Sequence, residues 1–127
     1  MEKKWVKPKI EHKKLTKWQW AVWCPDKLKL GRNVDIGAFT LILAHNGVEI
    51  GDDVQIGNHC SIISHSSIDN KNGKVVIGKG ARIGMHSSIM PGVHIGENAL
   101  VAAHSFVTKD VKEGETVYGI PARKRTI

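Results

Sequence analysis

An aliphatic residue returns at every sixth position over most of this chain, usually with Gly after it. The first run is Leu30, Ile36 and Ile42, and the second is Ile50, Ile56 and Ile62. Ile77, Ile83 and Ile89 form the third, and Ile95, Val101 and Val107 the fourth. The fifth place of each hexapeptide is small or β-branched: Val34, Thr40, Val54, Cys60, Ser66, Ala81, Ser87, Val93, Ala99, Ser105 and Val111, with Asn46 the exception. A step of six fits neither the helical period of 3.6 nor the strand period of 2. It is the signature of a β-helix solenoid.

The physical reading is direct. Three hexapeptides make one triangular rung, with the aliphatic and the small residue pointing inward. Gly is expected where the chain turns, because it accepts positive φ and close backbone approach. Rungs then stack ~4.8 Å apart through main-chain ladders. One rung cannot bury its own interior, so stacking is obligatory.

The predicted fold is all-β, a parallel β-helix of about four 18-residue rungs over residues 30–47, 50–67, 77–94 and 95–112. Two interruptions break the period. Two extra residues fall between Ile42 and Ile50, at Asn46-Gly47, and nine between Ile62 and Ile77. Asn70, Asn72 and Gly73 make the second a protruding loop, over about residues 68–76. Loops on rigid scaffolds tend to carry function. Residues 1–29 read as a basic tail and a Trp-rich cap, in which Trp18, Cys24 and Leu30 keep the six-residue step. Residues 30–112 are the repeat domain, and residues 113–127 a C-terminal tail in which the frame lapses after Val111.

Charge narrows the partners. The net charge is +7 with a pI near 9.6, and Lys and Arg crowd the two ends. Nothing resembles a helix-turn-helix or an Arg/aromatic platform, so nucleotide phosphates are a better match than nucleic acid. No apolar run approaches 18 residues and the N-terminus has no signal-peptide pattern, which predicts a cytoplasmic protein without a membrane span. Cys60 is expected in the core, and no disulfide with Cys24 is expected.

The run from Ile77 to Val111, with I-M-P-G-V-H-I-G and V-T-K-D-V, followed by G-I-P-A-R-K, resembles the hexapeptide-repeat acyltransferases, most closely the maltose and galactoside O-acetyltransferase branch. The resemblance covers about residues 30–125. It implies a left-handed coil and a homotrimer, with acetyl-CoA as acyl donor in the cleft between neighbouring subunits. The acceptor, a small-molecule sugar, would bind near the protruding loop. Three chains would carry three times +7, or +21, which suits a polyphosphate ligand. The positions matching the family's CoA contacts are Ala103, Thr108, Lys109, Pro121, Arg123 and Lys124. Met85 replaces a polar contact residue of the galactoside enzymes, so only its backbone could serve.

Acyl transfer to a hydroxyl or amine needs a base, and His suits neutral pH. The family's His column holds Ser67 here, a departure from the pattern. His65 lies two residues earlier, on the same side of an extended chain, and is the first candidate. His86 is the alternative. Asp69 could orient the base, and His45, Asn46 and Asn70 would meet the acceptor. In the repeat frame, Phe39, His59, His86 and His104 form one column, and His45, His65, Gly92 and Asp110 another. His59, His86 and His104 allow a second reading, a metal-dependent hydratase like the γ-class carbonic anhydrases, although no metal is expected. A third reading is a non-catalytic β-helix that binds a partner through its flat faces.

Overall fold

The computed structural model describes residues 4–125. Its strands fall into three parallel sheets, the faces of a triangular prism. The first face stacks Ala21–Trp23, Leu41–Leu43, Ser61–Ile63, Ser88–Ile89 and Phe106–Val107. The second stacks Leu28–Leu30, Val48–Ile50, Val75–Ile77 and His94–Ile95. The third stacks Asp35–Ile36, Gln55–Ile56, Arg82–Ile83, Leu100–Val101 and Thr116–Tyr118, and Arg123–Lys124 folds back antiparallel on the last of these. Four complete rungs result, with a partial one at each end. Register matches the six-residue step: Ile42 lies over Ile62 and Ile62 over Ile89, while Ile50 lies over Ile77. These side chains are buried to 2% exposure or less. No helix among the described residues is long and apolar enough to cross a membrane.

The role of glycine needs correcting. The Gly after each aliphatic residue is not among the positive-φ residues; it is required by close approach. A Cβ on Gly84 would stand 2.4 Å from the backbone nitrogen of Ala103 in the next rung. Positive φ belongs to the fourth place of the hexapeptide, at Asn33, Phe39, Asp53, His59, His86, Asn98 and His104 and at Gly80, Gly92 and Gly114. Asn, Asp and His are the side chains that best tolerate this region. The histidine column is therefore a column of corners.

Two further assignments change. Asn46 and Ser66 are not inward positions, because the extra residues enter before the small residue rather than after it. Val48 and Val75 fill the interior there, both at 0% exposure. The frame also does not lapse after Val111. Val111 bridges Ile95 and Thr116–Tyr118 pairs with Leu100–Val101, so a fifth rung begins two residues short of the 18-residue repeat.

Buried hydroxyls are satisfied by backbone carbonyls of their own or the neighbouring rung, as expected for polar groups removed from water. The Thr40 hydroxyl donates to the Gly57 carbonyl (2.8 Å), and those of Ser87 and Ser105 both donate to the Ala102 carbonyl. Cys60 is buried beside Thr40, and burial pushes its thiol pKa up, while Cys24 is half-buried and both are free thiols. At the N-terminal end, Trp20 is buried over the first rung while Trp18 stays 43% exposed.

Candidate active site

The two interruptions fall on one corner of the prism, between the first and second faces, and they build a site there. The shorter one places His45 and Asn46 after Leu41–Leu43. The longer one becomes a small hairpin one rung along, in which His65–Ser66 pairs antiparallel with Lys71–Asn72. Its turn passes through Asn70 at φ 53°. The rings of His45 and His65 lie 4.9 Å apart.

A chain of hydrogen bonds sets the orientation of His65. The Asn46 side-chain amide donates to the Ser64 carbonyl and to Asn72 Oδ1, both at 2.9 Å. The Asn46 backbone N–H donates to the Ser64 hydroxyl, which in turn donates to the Leu43 carbonyl. These contacts turn the oxygen of Asn72 toward His65, whose Nδ1 lies 2.6 Å away. An amide oxygen only accepts, so Nδ1 carries the hydrogen and Nε2 is left with a free lone pair. This is the tautomer a general base needs.

His45 differs from its neighbour. Its Nδ1 is buried without a hydrogen-bond partner among the described residues. Burial, reinforced by the charges of His65, His12, Lys27 and Lys13, pushes its pKa below the usual histidine value. Its ring plane is tilted 44° against that of His65.

Asp69 does not meet His65. Its carboxylate is held below the usual range chiefly by the Ser66 hydroxyl, and it lies 3.8 Å from Lys71. Ser67 and Asn70 are exposed in the turn of the hairpin. Asn72, the residue that does hold His65, reads in sequence only as a turn former. No local signal distinguishes it, because its partners Asn46 and His65 come from two different rungs.

His86 stands elsewhere. His59, His86 and His104 line the corner between the third and first faces, with ring centroids 4.8 and 4.9 Å apart and planes within 2° and 11° of parallel. Phe39 extends the stack, 5.3 Å from His59. Parallel rings present their nitrogens side by side rather than toward one point, which does not suit the tetrahedral convergence zinc requires. Among the described residues, no group of three His, Cys, Asp or Glu side chains is placed to hold a metal.

Met85 and Ala103 are exposed beside this histidine stack. Thr108 and Lys109 are exposed on the corner that carries His65, two rungs further along. Pro121, Arg123 and Lys124 are exposed beyond Thr116–Tyr118, with Lys124 3.9 Å from Glu115. The candidate cofactor residues thus occupy two corners of one chain and the last strand of its third face.

The coil of hexapeptides is the fold of the transferases that this chain is similar to. The bacterial transferase hexapeptide family (six repeats) matches residues 74–109, and the hexapeptide repeat of succinyl-transferase matches residues 27–62. The chain belongs to the hexapeptide-repeat acetyltransferase family, and its coil is the left-handed β-helix of that family. Galactoside O-acetyltransferase of Escherichia coli is 34% identical over 105 residues, covering 76% of this chain and 52% of the relative. A dTDP-3-amino-3,6-dideoxy-alpha-D-galactopyranose 3-N-acetyltransferase of Aneurinibacillus thermoaerophilus is 47% identical over 51 residues, covering 40% of this chain and 27% of the relative. Among solved structures, a hexapeptide-repeat-containing acetyltransferase of Vibrio cholerae complexed with acetyl coenzyme A superposes with a TM-score of 0.78 at 28% identity, over 84% of this chain and 63% of that one. A galactoside acetyltransferase in complex with coenzyme A gives 0.76 at 27% identity, over 84% and 58%. The chain spans about half the length of the galactoside enzymes it matches.

Proposed function

We propose that this protein transfers an acetyl group from acetyl-CoA to a hydroxyl or amino group of a sugar, a sugar nucleotide or a surface-polysaccharide precursor. The observation that carries the reading is the His65 ring held by Asn72, with Nε2 free. As the acceptor's oxygen or nitrogen attacks the thioester carbonyl, Nε2 takes its proton. The carbon–sulfur bond then breaks, and His65 returns the proton to the departing thiolate. The thioester is already activated, so no nucleophilic Ser or Cys is required. Family membership and the names of the relatives support the acetyl donor and the sugar class of acceptor.

The donor would lie along Met85, Ala103, Thr108 and Lys109, with Lys109, Arg123 and Lys124 exposed to meet phosphate charge. Met85 and Ala103 stand on a different corner of the prism from Thr108 and Lys109, so a single cleft lined by all of them needs a second copy of the chain. That split supports a homotrimer with its donor sites between subunits. Calorimetric titration with acetyl-CoA tests the reading, followed by thiol release over a panel of sugars. Absence of saturable binding below the millimolar range, or of thiol release with every sugar, refutes it.

A further inference from the structure

Next to the histidine pair the surface opens into a cavity of about 410 Å³, lined by Lys27, Lys29, His45, Asn46, Glu49 and Lys74. Asn46 and His45 belong to both places, so the cavity and the proposed base share a wall. The charges lining the cavity are unbalanced. Lys74 pairs with Glu49, whereas Lys27 and Lys29 make no ion pair among the described residues.

The position of Lys27 follows from its anchors. It ends the short turn Pro25–Lys27, and its backbone N–H is held by the Cys24 carbonyl. Its ammonium donates to the His45 carbonyl at 3.1 Å, on the same corner that carries the His45 and His65 rings. Lys29 projects from the outer side of Leu28–Leu30, opposite Glu49 in the register. Two cations therefore stand over a cavity whose wall at His45 abuts the ring of His65.

We propose that the acceptor is an anion, and that Lys27 and Lys29 bind its carboxylate or phosphate while His65 receives the proton of the group being acetylated. This rests on the acetyltransferase reading above. A sugar-acid carboxylate and a sugar phosphate offer the same chemistry, oxygen acceptors with full negative charge, to a pair of ammonium groups. The lysines would then act on binding, and so on KM, more than on the chemical step.

The test uses the full chain with acetyl-CoA and three acceptors: galactose, galacturonic acid and galactose 1-phosphate. We expect kcat/KM for one or both charged acceptors to exceed that for galactose by about tenfold or more, the size of one charge-assisted contact. Raising salt should shrink the difference. The K27A/K29A variant should collapse the ratio through KM, and Lys29→Glu alone should reduce it further than Lys29→Ala. Which charged sugar leads separates the two sources. A preference for galactose, or a ratio that all three lysine variants leave in place, overturns the proposal. Calorimetry with the same sugars, without acetyl-CoA, keeps the two readings apart. Lysine-dependent binding of a charged sugar without any turnover would support this site and refute the acetyltransferase reading. Absence of both turnover and lysine-dependent binding would refute both.

Discussion

His65 and Asn72 lie seven residues apart in the chain, at opposite ends of a hairpin, with Nδ1 of one 2.6 Å from Oδ1 of the other. The pairing sets which imidazole nitrogen can act. His65→Ala should therefore lower kcat by about 10²–10⁴-fold, the usual value of a positioned base. Steady-state thiol release measures it, and full turnover in that variant would remove His65 as the base.

Asn72→Asp separates orientation from charge. The carboxylate keeps the hydrogen bond but favours the imidazolium form over the neutral ring. A base works only when deprotonated, so the acid limb of the kcat/KM profile should move to higher pH. An unmoved limb would argue that Asn72 does not touch the ionising group. Asn72→Ala should lower kcat with less change in KM, by an amount near one hydrogen bond, about 1 kcal/mol.

Two glycines should respond differently to alanine. At Gly84 the new methyl would meet the Ala103 backbone at 2.4 Å, so the rungs must separate. A loss of about 1–3 kcal/mol is expected, as for overpacking. At Gly92 nothing lies within 4 Å and the cost comes only from φ +82°. That cost should be about 1 kcal/mol. Urea unfolding midpoints distinguish the two.

At His86 the corner conformation, φ 59°, decides which substitutions are tolerated. His86→Asn and His86→Gly should leave stability nearly unchanged. His86→Val places a β-branched side chain at positive φ and should cost about 1–3 kcal/mol. Thermal unfolding of the three variants is the comparison, and equal melting temperatures would contradict it.

His45 links stability to pH. Its folded pKa is lowered, chiefly by burial. Above the unfolded value of about 6.5 both states are neutral and its contribution is constant. As pH falls below that value the unfolded chain takes up the proton first, so stability drops until the folded pKa is passed. His45→Gln should lose less stability than the parent between neutral and mildly acidic pH, measured as urea midpoints at several pH values.

How far the site can be read in advance depends on what positions each residue. His65 and His45 emerge once the histidines are laid on the repeat, because each follows the inward isoleucine of its rung, Ile62 or Ile42, by three residues, and those isoleucines lie over one another. The αL corners at His59 and His86 are masked by the Gly two places earlier, whose role is closeness rather than φ. Asn72 is invisible for a different reason: a nine-residue insertion can close in many ways, and only its antiparallel pairing brings this amide to the ring.

The amino-acid sequence by itself determined the coil, since a six-residue alternation of large and small apolar groups has one economical way to leave water, in stacked triangular rungs. It also determined where the coil is interrupted. The tertiary structure decided which residues the interruptions bring together. Those contacts join Asn46 to Asn72 and Lys27 to His45, across rungs, and they depend on how each inserted loop folds back on a scaffold that constrains only its two ends.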